Sequence, residues 1–188
     1  MHFDSNGNLI TLNHKQGLIS INPKGVSTVL AATDENGHPF LIPNGLDIAE
    51  DGMIYFSNTS EFSAYNIKYG RKVIMEIFID NLHGFPNGIS IREDGSYWLG
   101  FSTKRSEALD KIHPKTGMKK FVYSLPEFMQ PKAERFGMIM NISEEGEILS
   151  SLFDTNGEVL PEAGAVKEHN GYLYIGGDVI PYIAKYKL

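Results

Sequence analysis

The chain has no cysteine. That single absence removes disulfide frameworks, thiolate metal sites and cysteine nucleophiles. Long apolar runs are missing too: no stretch approaches the roughly 18–20 residues that a spanning helix needs, so no membrane segment is expected. Charge of one sign does not accumulate. The net charge is −6, from 17 Lys+Arg and 23 Asp+Glu, without a block of like charge, which argues against nucleic acid as a partner. The start, Met1-His2-Phe3-Asp4, lacks the basic and apolar regions of a signal peptide, and a cytoplasmic protein is the expectation. No Gly-x-Ser-x-Gly elbow, phosphate loop or zinc-binding helix occurs.

What is present is a repeat. Pro43-Asn44-Gly45-Leu46-Asp47-Ile48-Ala49-Glu50-Asp51-Gly52-Met53-Ile54-Tyr55-Phe56 recurs 43 residues later as Pro86-Asn87-Gly88-Ile89-Ser90-Ile91-Arg92-Glu93-Asp94-Gly95-Ser96-Tyr97-Trp98-Leu99. Each copy reads as a Pro-Asn-Gly turn, a short apolar strand, an Asp-Gly hairpin and an aromatic-rich strand. A period of that length built from short strands is the mark of a β-propeller blade. The expected fold is therefore all-β: a single domain over 1–188 forming a partial β-propeller of about four blades, at about 1–33, 43–82, 86–153 and 162–188.

The blades are not uniform. The first has four strands with a clipped inner one. In the second, Ser60–Gly70 shows no strand alternation and Val73–Ile79 is one apolar stretch, so three strands are expected, or a merged third and fourth. A long insertion, 102–136, interrupts the third blade; Lys104–Lys111 suits a helical turn or two, and Lys119-Lys120 falls on a loop. An insertion of this size is often a rim or lid, here a possible lining for a small-molecule pocket. The fourth blade has three strands, ending at Tyr182–Tyr186, and no outer strand. Its open edge, with the short first strand at the other end, leads to the expectation of a homo-oligomer.

From Asp80 onward the residues resemble a known family. Asp80-Asn81-Leu82-His83-Gly84-Phe85-Pro86-Asn87-Gly88, Asp94-Gly95-Ser96-Tyr97-Trp98, Leu125-Pro126-Glu127, Gln130-Pro131-Lys132 and Val166-Lys167-Glu168-His169-Asn170-Gly171-Tyr172 are similar to the strictosidine-synthase-like branch of the six-bladed propeller superfamily. That superfamily includes gluconolactonase, senescence-marker-type lactonases and paraoxonases. The resemblance implies a shortened member, family members being nearly twice this length, with an internal join near Val73–Phe78. It implies a metal-dependent hydrolase of lactones or esters with calcium in the central channel, and it carries two ligand positions onto Asn44 and Asn87. Calcium wants six or more oxygens, so two amides form an incomplete site. Pro-Asn-Gly is also good turn chemistry, and the turn reading of Asn44 and Asn87 stays open. Asp47 is a further oxygen donor or a solvated strand residue. The catalytic glutamate of true strictosidine synthases falls on Pro161 or Gly164, with Glu162 out of register, so that condensation is not expected.

The six histidines, His2, His14, His38, His83, His113 and His169, share no metal-ligand spacing. His83 is the one placed to reach the channel mouth. Tyr55, Phe56, Tyr97, Trp98, Tyr172 and Tyr174 are expected to pack between blades. Three functions remain: a lactone or ester hydrolase, a non-catalytic scaffold, and a small-molecule-binding module.

Overall fold

A computed structural model describes residues 1–34, 36–40, 42–59, 63–68, 74–112, 115–129 and 134–188. Their strands form four antiparallel sheets, each ordered as in sequence. The first holds β1 (His2–Phe3), β2 (Leu9–Asn13), β3 (Gly17–Ile21) and β4 (Ser27–Ala31); the second holds β5 (Pro43–Ile48), β6 (Met53–Asn58), β7 (Ser63–Lys68) and β8 (Ile74–Ile79). The third comprises β9 (Gly84–Ile91), β10 (Tyr97–Lys104), β11 (Gly137–Ile142) and β12 (Ile148–Asp154), and the last β13 (Ala165–His169), β14 (Tyr172–Gly176) and β15 (Ala184–Lys187).

Aspartates close the first hairpins. Asp4, Asp51 and Asp94 accept backbone N–H groups from Asn8 at 2.8 Å, Met53 at 2.9 Å and Ser96 at 3.0 Å. Such side-chain-to-backbone bonds fix a turn before any tertiary contact forms.

The second sheet corrects the expectation of three strands. Ser63–Lys68 is a strand, paired on one side with β6 through Ile54↔Ile67 and on the other with β8 through Ile67↔Met75. The alternation in Tyr65-Asn66-Ile67-Lys68 is too short to show against its surroundings; pairing on both edges makes it a strand. Within the insertion, Lys104 ends β10, and α1 (Glu107–Ile112), α2 (Thr116–Ser124) and a 3₁₀ turn at Glu127–Met129 follow. Lys119 and Lys120 thus belong to a helix rather than a loop. The residues 69–73 at the expected join, His113 and Gln130-Pro131-Lys132 lie outside the described residues.

Three apolar clusters join the four sheets in series. Ile10, Leu18, Phe40, Leu46, Ile54 and Phe56 fill the space between the first and second sheets. Tyr55, Phe78, Ile89, Tyr97, Leu99, Phe101 and Met138 are among the residues between the second and third. Trp98, Ile139, Ala163, Val166, Leu173 and Ile175 join the third to the last. Each fully buried Leu, Ile or Phe adds about 1.5–3 kcal/mol, so these wedges carry the fold. In the middle one, Phe78 meets Tyr55 and Tyr97 edge-on, with ring centroids 5.2 Å apart in both pairs.

Four of the six flagged aromatics pack between sheets as expected: Tyr55, Phe56, Tyr97 and Trp98 are buried. Tyr172 and Tyr174 do not. Along β14 they alternate with buried Leu173 and Ile175, so they stand on the opposite face, where Lys185 Nζ lies 3.9 Å from the Tyr172 ring centroid and 5.5 Å from that of Tyr174.

Candidate functional site where the innermost strands meet

The first strands of the sheets lie side by side, β5 beside β1 and β9, and β9 beside β13. Glycine permits this approach. A Cβ at position 45 would lie 2.5 Å from the Asn87 carbonyl oxygen, and one at position 88 would lie 2.5 Å from that of Gly164. Gly88 N donates to Gly164 O at 2.8 Å. The Asn-Gly pair of each repeat therefore serves two purposes: a side chain near the start of the innermost strand and a bare backbone against the next sheet.

Asn44 is exposed at the start of β5. Asn87 is 9% exposed, and its Nδ2 donates to Ser102 Oγ at 2.8 Å, which leaves Oδ1 as its acceptor end. The Asn87 carbonyl accepts from Ser57 Oγ, and that oxygen accepts from Gly45 N at 3.2 Å. Asn44 and Asn87 thus stand on neighbouring strands whose backbones are locked together by Ser57. The 102–136 insertion leaves from the same end, because β10 runs to Lys104 opposite Gly84.

Asp47 is not a solvated residue. It is 7% exposed, and from β5 it reaches residues of the three other innermost strands. Oδ1 accepts from Ile48 N at 2.9 Å, and Oδ2 accepts from Ile91 N at 2.9 Å. His2 Nδ1 of β1 lies 3.4 Å from Oδ1, and Lys167 Nζ of β13 lies 3.8 Å from Oδ2. Burial of a carboxylate is costly unless it is paired and hydrogen-bonded; two backbone N–H donors and the nearby Lys167 ammonium offset that here. The histidine that reaches the centre is His2, whereas His83 is exposed and contributes its carbonyl to Arg105 N at 2.9 Å.

Glu162, just ahead of β13, is 6% exposed. Its Oε1 accepts from Val179 N at 2.7 Å, and its carboxylate lies against Gly177 so closely that a Cβ there would overlap it. At the opposite end of the strands, Glu168 Oε2 accepts from Arg92 Nε at 2.6 Å and from Trp98 Nε1 at 2.7 Å. The Arg92 bond, aided by that from Trp98, holds the Glu168 carboxyl below its ordinary range. This clamp ties the third sheet to the last. Sequence reasoning missed it, since its partners are 70 and more residues apart.

No family model matches the chain. Curated relatives do. Adipocyte plasma membrane-associated protein of Homo sapiens is 28% identical over 155 residues, 78% of this chain and 37% of that protein. Protein strictosidine synthase-like 3 of Arabidopsis thaliana is 28% identical over 155 residues, 78% of this chain and 40% of that protein. The chain has a β-propeller-like fold and is similar in sequence to strictosidine-synthase-like proteins. It spans well under half the length of these relatives. Among solved structures, a gluconolactonase from Xanthomonas campestris superimposes with a TM-score of 0.50 at 13% identity, covering 93% of this chain and 67% of that one. A protein of unknown function from Bacteroides caccae gives a TM-score of 0.53 at 11% identity, covering 85% and 50%. Both likenesses concern the fold alone. No helix among the described residues is long and apolar enough to cross a membrane.

Proposed function

We propose that this chain is a ligand-binding propeller unit that does not by itself perform metal-dependent hydrolysis. One observation carries the reading: Asp47, the buried carboxylate at the convergence, already accepts from two backbone amides, with the Lys167 ammonium 3.8 Å away. Glu162 is likewise engaged by Val179 N. The start of the innermost strands is left with the neutral oxygens of Asn44 and Asn87. Calcium takes six to eight oxygens and binds tightly only where carboxylates neutralise it, so this donor set does not fit the ion. Neutral amides and hydroxyls suit a polar, uncharged small molecule instead. Asn87, oriented by Ser102, supplies an acceptor, and the helical insertion leaves β10 at the same end.

The hydrolase reading belongs to a longer polypeptide. It is favoured by the equivalent placing of Asn44 and Asn87 in the repeat and by the gluconolactonase among the structural neighbours. Further sheets would then add the acidic ligands. The test is hydrolysis of D-glucono-1,5-lactone and of an aryl ester by this chain, with calcium and with a chelator. The expected result is no turnover above buffer in either condition, alongside a rise in Tm with the sugar lactone that Asn87→Ala abolishes. Calcium-dependent turnover lost in Asn87→Ala would overturn the reading.

A further inference from the structure

Six Asn-Gly pairs punctuate the chain: Asn6-Gly7, Asn36-Gly37, Asn44-Gly45, Asn87-Gly88, Asn156-Gly157 and Asn170-Gly171. In such a pair the backbone can attack its own side chain, since glycine has no Cβ to shield its nitrogen. The glycine nitrogen adds to the asparagine Cγ and closes a succinimide. What that N–H already donates to therefore decides whether a pair reacts. Five of the six are held. Gly7 N donates to Asp4 O at 3.1 Å, Gly37 N to Asp34 O at 3.1 Å and Gly157 N to Asp154 O at 3.2 Å. At the candidate site Gly45 N donates to Ser57 Oγ at 3.2 Å, and Gly88 N to Gly164 O at 2.8 Å. The sixth pair differs. Asn170 and Gly171 form the two-residue turn between His169 and Tyr172, the end of the β13–β14 ladder. Both have left-handed backbone, with φ of 49° and 72°, as a two-residue hairpin favours. The ladder bonds leave the turn amides outside, and among the described residues Gly171 N has no hydrogen-bond partner. Asn170 is exposed, and its Nδ2 lies 3.1 Å from His169 Nε2.

We propose that Asn170 is a site of spontaneous modification, converted by its own backbone into aspartate and isoaspartate, while Asn44 and Asn87 keep their amides. The reaction needs water and no other reagent. As the turn opens locally, Gly171 N bonds to Asn170 Cγ and gives up its proton to solvent. The Cγ–Nδ2 bond breaks, and the nitrogen departs as ammonia; His169 Nε2, beside the leaving nitrogen, passes it a proton taken from solvent. Water then opens the succinimide at either carbonyl. Each event replaces a neutral amide by a carboxylate and adds one negative charge. Isoaspartate also inserts a carbon into the backbone of a turn that has only two residues. The same chemistry is suppressed at the candidate site by the close approach of the sheets: the contacts that hold Gly45 against β6 and Gly88 against the last sheet also occupy the two nitrogens that would attack Asn44 and Asn87.

The experiment ages the intact 188-residue chain at physiological pH and temperature, folded in buffer and unfolded in concentrated guanidinium chloride. Peptide mass spectrometry follows deamidation at each of the six asparagines, and ion exchange follows the acidic species of the whole chain. In the folded chain Asn170 is expected to convert at least about fivefold faster than each of the other five, the factor by which a single hydrogen bond holds an N–H in place. In guanidinium chloride the six rates should converge. Asn170→Gln should abolish the fast acidic species and leave the five slow rates as they are. His169→Ala should slow conversion at Asn170 in the folded chain alone. Equal rates at the six sites in the folded chain, or fastest conversion at Asn44 or Asn87, would overturn the proposal. So would the same lead for Asn170 in guanidinium chloride, which would assign the rate to local sequence rather than to the free Gly171 amide.

Discussion

The carboxylate of Asp47 accepts the backbone N–H of Ile91 at 2.9 Å as well as that of Ile48, also at 2.9 Å. Ile48 and Ile91 are equivalent positions of the repeat, 43 residues apart. One side chain thus bridges the same amide in two consecutive repeats and sets their innermost strands in register. Asp47→Ala takes the side-chain acceptor from the Ile48 and Ile91 N–H groups and the nearby carboxylate from Lys167. The expected loss is about 2–4 kcal/mol, with Asp47→Asn costing roughly half as much because an acceptor for Ile91 remains. Urea denaturation measures both. A loss under about 0.5 kcal/mol for the alanine variant would make Asp47 a surface residue in energetic terms.

Two positions in one strand should respond with opposite sign. Gly88 faces backbone, so Gly88→Ala forces the third and last sheets apart and costs about 1–3 kcal/mol. Ser90, two residues on, has a buried hydroxyl without a hydrogen-bond partner among the described residues. Ser90→Ala removes an unsatisfied group and is expected to be neutral or stabilising by up to about 1 kcal/mol. Thermal melts of the two variants side by side provide the comparison.

The Glu168 clamp gives stability a pH dependence of known sign. Its folded-state pKa lies below the ordinary glutamate value, chiefly through Arg92. The contribution is therefore complete above about pH 4.3, the unperturbed value, and is lost as pH falls through the lowered folded value. Glu168→Gln keeps an acceptor for Trp98 but loses the charge. It should cost about 1–2 kcal/mol at pH 7, a gap that closes as both proteins are taken toward pH 3. A gap that stays constant across that range would assign the effect to packing.

Much of this architecture is legible in the sequence, and the boundary of legibility has a physical cause. The Pro-Asn-Gly and Asp-Gly turns are local, so the repeat, the hairpins and the buried aromatics of β6 and β10 can be read directly. Strand β7 cannot, since it depends on neighbours at both edges. Asp47 is the clearer case. From the sequence it is either a further oxygen donor or a solvated strand residue, and the other copy has Ser90 in its place. Its partners are His2, Ile91 and Lys167, and only the side-by-side packing of four innermost strands brings them together. The repeat places Asn44 and Asn87 at equivalent turns and the family resemblance marks them as ligand positions, yet Ser57 and Ser102, which lock the Asn87 backbone and orient its amide, carry no mark in the sequence.

The measurement that bears most directly on the central claim is a calcium titration of thermal stability, run on the chain and on Asn87→Ala. A site with a dissociation constant near 0.1 mM would add about 2.7 kcal/mol at a hundredfold excess of ion, or roughly 5–10 °C in Tm for a chain of this size. With Asp47 and Glu162 already engaged, the expected result is no shift beyond about 1 °C for either protein. A rise of several degrees that is absent in Asn87→Ala would contradict the account and show that Asn44 and Asn87 hold the ion.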